Sequence, residues 1–251
     1  MRALQAFPRL VVANLRAWLP SLRLQLATML SMWLVYAYAL VPSIAGPLQS
    51  VVPRYTVYAV TGLLTAVSAQ IAMVCGATLW MERRAGVLEE IVAEVCSLRL
   101  YALSRITAFG AVSAAIYSVL CAASIPLLGP RAVEALACVP IVVALSMVWS
   151  SLAILASLLL RGGELYALVS SIIAAPSILV SPALYPLQSM PWPLRALALI
   201  NPNTYAIELT RALTAQPHTL ALGICCGALL GALIALTTIV IAVCRDELSL
   251  P

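Results

Sequence analysis

The sequence predicts an all-α membrane protein with six transmembrane helices. Three observations predict it: an apolar composition, long stretches without charge, and short connections between most of those stretches. Of the 251 residues, 63% are hydrophobic and only 9% are charged, whereas a soluble domain carries roughly 25% charged residues. We therefore exclude a water-soluble globular protein, a disordered chain and a disulfide-stapled scaffold.

Six stretches contain no Asp, Glu, Lys or Arg, and each is at least 25 residues long. A helix crosses the hydrocarbon core of a bilayer with about 20 residues. A charge at the bilayer centre costs about 2.5–3.5 kcal/mol, so stretches of this length indicate spans. We predict the spans near 25–45, 57–80, 105–128, 136–160, 165–187 and 220–244.

The distribution of Arg residues predicts the orientation. With the N-terminus inside, ten Arg lie in cytoplasmic segments and four in external segments. Cytoplasmic loops carry the excess of basic residues, so both termini are predicted to face the cytoplasm in a plasma or inner membrane. Residues 1–251 form one transmembrane domain. It comprises a cytoplasmic interfacial arm (1–23), spans one to five (24–187), an external segment (188–219), and span six with a cytoplasmic tail (220–251).

The side-chain inventory excludes several kinds of site. All fourteen basic residues are Arg, so the chain has no Lys for a P-loop or a Schiff base. His218 is the single histidine, and the seven Cys include no C-x-x-C pair, which argues against a metal or haem site. The Arg residues flank apolar segments, a pattern that indicates anionic lipid and not nucleic acid. We predict no catalytic residue, metal or cofactor on this chain.

In the N-terminal arm, Arg2, Arg9, Arg16 and Arg23 recur every seven residues. On a helix this spacing forms one stripe. Pro8 and Pro20 are expected to limit the helix to roughly 9–19, with Trp18 anchoring it in the inner interface. The alternative is a set of ordinary positive-inside residues with no defined helix.

A second amphipathic segment follows span two. Its apolar residues recur at i, i+3, i+4 and i+7, and its Glu residues fall on the opposite face. The apolar set is Leu88, Ile91, Val92 and Val95, and the acidic set is Glu89, Glu90 and Glu94. Gly86 separates this short helix from span two. The pattern favours docking onto a protein partner; the alternative is a helix that lies on the membrane, against which the three Glu argue. Catalysis by a Glu pair is disfavoured because no His ligands accompany it.

Two short helices are predicted in the external segment, at 192–200 and from Asn201 to about 214. Asn201 is a good N-cap and Pro202 suits the first helical position. Glu208 and Arg211 stand at i, i+3 and predict an ion pair. Neither helix is long enough to span the membrane, which suggests a re-entrant or interfacial pair. The pair is expected to form either the outer cap of a pathway or a structural lid.

Two polar residues lie at membrane depth, Gln70 and Tyr36. They are candidates for a pathway, with Gln70 as a substrate contact; the alternative for Gln70 is an interhelical hydrogen bond. With no charged residue expected to face a cavity in the spans, an ion-coupled pump is disfavoured. The cargo is therefore predicted to be amphipathic or hydrophobic.

Small residues and prolines mark the last two spans. Gly223, Gly227 and Gly231 form a G-x-x-x-G-x-x-x-G ridge in span six. We favour packing of this ridge against another span of the same chain over a dimer interface. Pro176 and Pro182 are expected to interrupt span five as a gate or a kink.

Two segments resemble motifs of the permease subunits of type-2 ATP-binding-cassette (ABC-2) exporters. Residues 82–92 read ERRAGVLEEIV, similar to that family's ERxxGTLExLL after its second span. Residues 201–211 read NPNTYAIELTR, similar to its NPLTYAVExLR before its sixth span. Val87 replaces the usual Thr, Asn203 the usual Leu, and Cys96-Ser97-Leu98 the usual Pro-Leu-Ser. The span order and length also fit, so the resemblance covers nearly the whole chain.

The resemblance implies that 82–95 is a coupling helix docked on an ATPase subunit, and that the arm is an interfacial connecting helix. Its ATPase-docking residues would be Glu82, Arg83, Arg84, Gly86, Leu88, Glu89, Glu90 and Ile91. Its external motif would be Asn201, Pro202, Thr204, Tyr205, Glu208 and Arg211. A second permease copy, identical or not, would complete the pathway, and ATP with Mg²⁺ would bind the partner ATPases.

The expected function is therefore that of an exporter permease, which performs no covalent chemistry itself. Two alternatives stay open. One is a non-transporting membrane scaffold or regulatory permease-like subunit. The other is an intramembrane hydrolase, which the lack of an in-membrane His or carboxylate opposes.

Overall fold

The computed structural model describes residues 2–49, 52–94, 96–160 and 162–246, and every regular element in these ranges is a helix. Six helical stretches are long and apolar enough to cross a membrane, which confirms the predicted class. They are Ala6–Leu48, Tyr55–Arg84, Leu98–Ala123, Arg131–Leu159, Gly163–Val180 and Leu222–Cys244, called spans 1 to 6.

Span 1 begins within α1 (Arg2–Leu34), continues through a wide-turn segment (Val35–Leu40) and ends with α2 (Val41–Leu48). In the wide-turn segment the Val41 amide donates to the Tyr36 carbonyl, five residues back. Pro42 follows directly; it has no amide proton, and its ring crowds the preceding turn, a usual cause of such a widening. Every fourth residue across this junction is buried: Trp33, Ala37, Val41 and Ala45.

The expected break at Pro20 is wrong, because α1 runs through both Pro8 and Pro20. A proline inside a helix removes one hydrogen bond and costs about 3 kcal/mol in isolation. Here α1 is held before Pro20 by side-chain contacts with span 3. Asn14 donates to the Ser104 hydroxyl at 2.9 Å, and Trp18 packs edge-on against Phe109 with ring centroids 4.4 Å apart. Trp18 is therefore an internal contact and not the interfacial anchor that we expected.

Arg9, Arg16 and Arg23 are all exposed, as the seven-residue stripe predicts. They lie along α1 away from Asn14 and Trp18, which are buried. The interfacial position of this arm stays a prediction.

Span 2 consists of α3 (Tyr55–Gln70), a tight turn (Ile71–Met73) and α4 (Val74–Arg84), and it is followed by α5 (Val87–Glu94). Span 3 is α6 (Leu98–Ala123), whose N-cap Ser97 accepts a hydrogen bond from the Leu100 amide. Span 3 thus begins at Leu98, seven residues before the start that we predicted at 105, and Arg105 lies inside it.

Short helices α7 (Ile125–Leu128) and α8 (Arg131–Leu136) lead into α9 (Val139–Leu159), and α8 and α9 together make span 4. Span 5 is α10 (Gly163–Val180). It passes through Pro176 and ends at Val180, and the next residue, Ser181, is extended with ψ of 160°. The predicted end at 187 is wrong because Ser181 precedes Pro182, and a residue before proline is disfavoured in the helical region.

A tight turn (Leu187–Ser189) precedes α11 (Trp192–Ile200) and α12 (Pro202–Leu213), and α13 (Leu222–Asp246) contains span 6. Spans 2, 3 and 4 form the centre of the bundle, while spans 1, 5 and 6 are mostly exposed. The ends of span 2 define the two ends of the bundle: the α5 end, where α5 follows it, and the α12 end, where α12 packs near its start.

The glycine ridge of span 6 does not pack inside the chain. A Cβ at Gly223, Gly227 or Gly231 would meet nothing within 4 Å. The interpretation that we favoured, packing against another span of the same chain, is therefore wrong. The ridge lies on the outer face of α13.

Candidate functional site

At the α5 end, the segment 82–94 divides into two parts at Gly86. Glu82, Arg83 and Arg84 complete α4, and α5 starts at Val87. Gly86 has φ of +76°, in the left-handed region where a Cβ is strained, and its amide donates to the Arg83 carbonyl at 3.1 Å. This is the usual way for a helix to end at glycine. The segment 82–94 is therefore two helices that meet at a glycine, not one.

The two faces of α5 have different surroundings. Leu88 is buried in a cluster with Leu98 and Tyr101 of span 3, and Ile91 and Val92 pack against that cluster. Glu89 and Glu90 are exposed. Val95 lies outside the described residues, as does the side chain of Glu94. The predicted amphipathic pattern is thus present, but its apolar face is occupied by this chain, and the acidic face is the one that points outward.

Glu82 belongs to a buried polar cluster between spans 2 and 3, here called the Arg105 cluster (Thr78, Glu82, Tyr101 and Arg105). Arg105 is 1% exposed, and its guanidinium donates to Glu82, to Thr78 and, at 3.0 Å, to the Tyr101 hydroxyl. The Tyr101 hydroxyl in turn donates to Glu82 at 2.9 Å. Glu82 is 28% exposed. Every partner of the carboxylate comes from span 3, so Glu82 fastens two spans together.

Arg83 and Arg84 point toward spans 4 and 5. Arg83 donates to the Leu158 carbonyl near the end of α9 at 3.2 Å. The Arg84 guanidinium lies 5.5 Å from the centre of the Trp80 ring, within cation–π range. Neither lies on α5, although the resemblance grouped them with it.

At the α12 end, the polar residues of the second motif build the turn between α11 and α12. The Asn201 side chain accepts from the Asn203 amide at 3.0 Å, and Pro202 begins α12, as predicted. Thr204 donates to the Ala198 carbonyl at 2.6 Å, and Tyr205 donates to the Leu199 carbonyl. The side chains of three motif residues thus pair with backbone groups of this turn, and Pro202 begins the helix that follows it.

The same turn is tied to spans 4 and 5. The Trp149 indole in span 4 donates to the Asn203 side chain at 2.8 Å. Asn201 and Asn203 both donate to the Ser177 carbonyl in span 5. Because these contacts join elements far apart in sequence, the motif fixes the position of α11 and α12 against the bundle.

Glu208 and Arg211 form the predicted ion pair, with Arg211 Nη1 3.6 Å from Glu208 Oε1 and both side chains at most 1% exposed. The Arg211 guanidinium lies 3.5 Å from the centre of the Tyr58 ring in span 2, and Nη2 donates to the Ala183 carbonyl at 3.1 Å. We call Tyr58, Glu208 and Arg211 the Arg211 cluster. Burial lowers the pKa of Arg211, whereas Tyr58 and Glu208 raise it.

The second carboxylate oxygen of Glu208 accepts from the amides of Thr219 and Leu220, just before α13. One side chain therefore joins α12 to the start of span 6. The Arg211 cluster connects span 2, the loop after span 5 and span 6 at one point.

The two candidate pathway residues are placed differently. Gln70 donates from its side chain to the Ala174 carbonyl of span 5, so it forms the interhelical hydrogen bond that was the alternative to a substrate contact. Tyr36 lies half-buried in the wide-turn segment and packs against the central core. Their role in a pathway stays a prediction.

Sequence reasoning missed the Arg105 cluster and the contact of Arg211 with Tyr58. The local signal for the first was an arginine inside an apolar stretch with Tyr101 one turn before it. The second has no local signal, because Tyr58 and Arg211 are 153 residues apart. Among the described residues, no group of three His, Cys, Asp or Glu side chains could hold a metal ion.

A family model described as ABC-2 type transporter matches residues 11–214. The matched range includes α5, α12 and both motifs, and it ends before α13. No curated protein matches the chain.

Proposed function

The chain belongs to the ABC-2 type transporter family, and we propose that it is the permease half of an exporter driven by separate ATPase subunits. The chain is a multi-pass membrane protein and a transport component. The proposal adds three parts: α5 docks on an ATPase, both termini face the cytoplasm, and a second permease copy completes the pathway. The second copy is either identical or a related chain.

The observation that carries the proposal is the arrangement of α5. Its buried Leu88 ties it to spans 1 and 3, and its acidic side is turned outward. A soluble ATPase with a basic groove would meet Glu89 and Glu90 without disturbing the apolar contacts. A displacement of α5 would be transmitted to span 2 through Gly86. It would be transmitted to span 3 through the apolar cluster that contains Leu88, Leu98 and Tyr101.

The Arg105 cluster links span 2 to span 3 at this end. Glu82 stands on span 2, four residues before Gly86, and is bonded to Arg105 and Tyr101 on span 3. A displacement of α5 therefore moves the two spans as a pair. At the opposite end, the Arg211 cluster transmits a movement of span 2 to α12 and to the start of span 6.

The cycle that follows is a conformational exchange. ATP and Mg²⁺ bind the partner ATPases, their closure moves α5, and the permease halves open a pathway to the other side. Nucleotide must bind one of the two states more tightly for this to occur. An amphipathic or hydrophobic cargo fits, because Arg105, the arginine that is buried in the described parts of the spans, is already paired with Glu82.

The test is reconstitution of the full chain with its ATPase and reversal of the charges on α5. We expect Glu89→Arg with Glu90→Arg to weaken assembly by about tenfold or more, equivalent to about 1.4 kcal/mol, and to reduce substrate-stimulated ATP hydrolysis. The matched control is Glu134→Arg on α8, an exposed residue at the α12 end, which should leave both unchanged. Normal assembly of the doubly reversed variant would contradict docking through α5. The absence of any ATPase partner would favour the scaffold alternative.

A further inference from the structure

An open groove of about 1270 Å³ lies at the α5 end, between the ends of spans 2 and 4 and the start of span 5. Arg83 and Arg84 line it on one side, and Glu164 at the start of α10 lines it on another. Its remaining wall is apolar and includes Trp80 and Leu159. None of the contacts described above for α5 or for the Arg105 cluster fills this space.

The groove extends along α4 from its last turn toward the middle of span 2. It is lined by Arg84, the last residue of α4, and also by Ala77, two turns earlier. Seven residues of helix correspond to about 10 Å. A ligand that fills the groove must therefore carry a polar part at the boundary and an apolar part within the membrane. A water-soluble protein could reach the first but not the second.

The walls of the groove are fixed by close contacts. A Cβ at Gly163 would lie 2.3 Å from the Trp80 ring, so only glycine lets the indole rest against the start of α10. The Tyr166 hydroxyl donates to the Met73 carbonyl at 2.7 Å, which binds span 5 to span 2 at the floor. Arg83 is oriented by its hydrogen bond to Leu158. The groove is thus a formed cavity and not a gap between loose helices.

The charge at the mouth favours an anion. Two guanidinium groups stand against one carboxylate. Glu164 lies in the first turn of α10, where the helix dipole already stabilises a negative charge. Basic pockets between transmembrane helices bind anionic headgroups, and arginine matches phosphate oxygens with paired N–H donors. Leu159 is 66% exposed and Met81 is 55% exposed beside the arginines, which provides apolar surface for acyl chains.

We propose that this groove binds one anionic phospholipid, with its phosphate at Arg83 and Arg84 and its acyl chains along Trp80, Met81 and Leu159. The site requires only that the chain lies in a membrane. It can be tested without the ATPase, so either proposal can fail without the other.

The test uses the full chain in lipid nanodiscs, without the ATPase. The discs contain mostly phosphatidylcholine and a minor fraction of lipid brominated in the upper acyl chain, either phosphatidylglycerol or phosphatidylcholine. Bromine quenches tryptophan fluorescence at short range. Subtraction of the Trp80→Phe signal isolates Trp80, and Trp192, which is exposed at the α12 end, serves as an internal reference.

We expect brominated phosphatidylglycerol to quench Trp80 several-fold more than brominated phosphatidylcholine at equal bulk fraction, and Trp192 to show no such preference. A basic residue at an anionic membrane surface contributes roughly fivefold in binding. Arg83→Gln and Arg84→Gln should therefore each reduce the preference by up to about that factor, and the double variant should abolish it. The control is Arg23→Gln, which removes an exposed arginine of α1 away from the groove, and it should preserve the preference.

Equal quenching of Trp80 by the two lipids in the unaltered chain would overturn the proposal, whatever the variants show. So would a preference that survives loss of both arginines in a protein of unchanged melting temperature. If neither lipid quenches Trp80, the groove is covered by protein, as a second copy of the chain would cover it, and the lipid site is again rejected.

Discussion

Two arginines are buried among the described side chains, one near each end of span 2, and they are bound in opposite ways. Arg105 at the α5 end has three side-chain hydrogen-bond partners, and its carboxylate partner Glu82 still meets solvent. Arg211 at the α12 end is fully enclosed and rests on the Tyr58 ring, with backbone carbonyls as its hydrogen-bond acceptors. Its carboxylate partner stands on the same helix.

The difference shows what each cluster can do. The Arg105 cluster joins two separate spans through hydrogen bonds to Glu82, and water can reach this carboxylate and replace its partners. Such a connection suits an end of the bundle that must move. The Arg211 cluster removes two charges from water completely, so breaking it leaves an unpaired buried charge at high cost. We therefore interpret the α12 end as the fixed end of the bundle and the α5 end as the adaptable one.

The largest effect is expected from Arg211→Met, which leaves the Glu208 carboxylate buried without its cation. Loss of one partner of a buried pair costs about 3–5 kcal/mol. Thermal unfolding of the purified chain in detergent measures it. Arg195→Met on the exposed side of α11 is the control and should change stability by no more than about 0.5 kcal/mol. Equal melting temperatures for the two variants would remove the distinction between the ends.

A smaller loss of stability is expected from Gly62→Ala in α3. The new Cβ would lie 2.7 Å from the Ala183 carbonyl oxygen and 2.9 Å from Arg211 Nη2, so the guanidinium must shift. Overpacking of this kind costs about 1–3 kcal/mol. Gly227→Ala in span 6 meets open space and should stabilise by about 0.5–1 kcal/mol. In thermal unfolding, the melting temperature should therefore fall for Gly62→Ala and rise for Gly227→Ala.

At the α5 end, Glu82→Gln should cost about 1–2 kcal/mol. It removes the charge that Arg105 and Tyr101 bind, but water reaches the site and offsets part of the loss. Glu90→Gln on the exposed face of α5 is the matched control in the same unfolding assay. If Glu82→Gln proved as damaging as Arg211→Met, the α5 end would be as rigid as the other.

The smallest effect is expected from Tyr101→Phe, about 0.5–1.5 kcal/mol, because one hydroxyl is lost from the Arg105 cluster. A double-mutant cycle sharpens the comparison. Tyr101→Phe should be non-additive with Glu82→Gln, its direct partner, and additive with Arg211→Met, which lies at the other end of span 2. Coupling to Arg211 would mean that the two ends respond as one unit.

Sequence reasoning was most accurate where local chemistry decides. Asn201 and Pro202 fix the start of α12, and Gly86 ends α4, because capping and left-handed geometry depend on neighbouring residues alone. The six spans followed from composition for the same reason. The Glu208–Arg211 pair was also predictable, because i, i+3 spacing on one helix brings the two side chains together.

Sequence reasoning was least accurate where contacts between distant residues determine the structure. Pro20 does not end α1, because contacts of Asn14 and Trp18 with span 3 outweigh its local effect. The partners of Arg105 and Arg211 come from other spans, which spacing along the chain cannot reveal. The glycine ridge showed a surface suited to close packing but not which neighbour, if any, would use it.

The wide turns of span 1 have a consequence for its geometry. Four residues of an α-helix turn through about 400°, so a stripe of every fourth residue would drift by about 120° between Trp33 and Ala45. Both residues nevertheless face inward, because each residue of Val35–Leu40 rotates the chain through a smaller angle than in an α-helix, which offsets the drift. Deleting one residue from this segment would rotate α2 by about 100° and turn Val41 toward lipid. The length of this short segment therefore sets which side of the first membrane helix is its inner side.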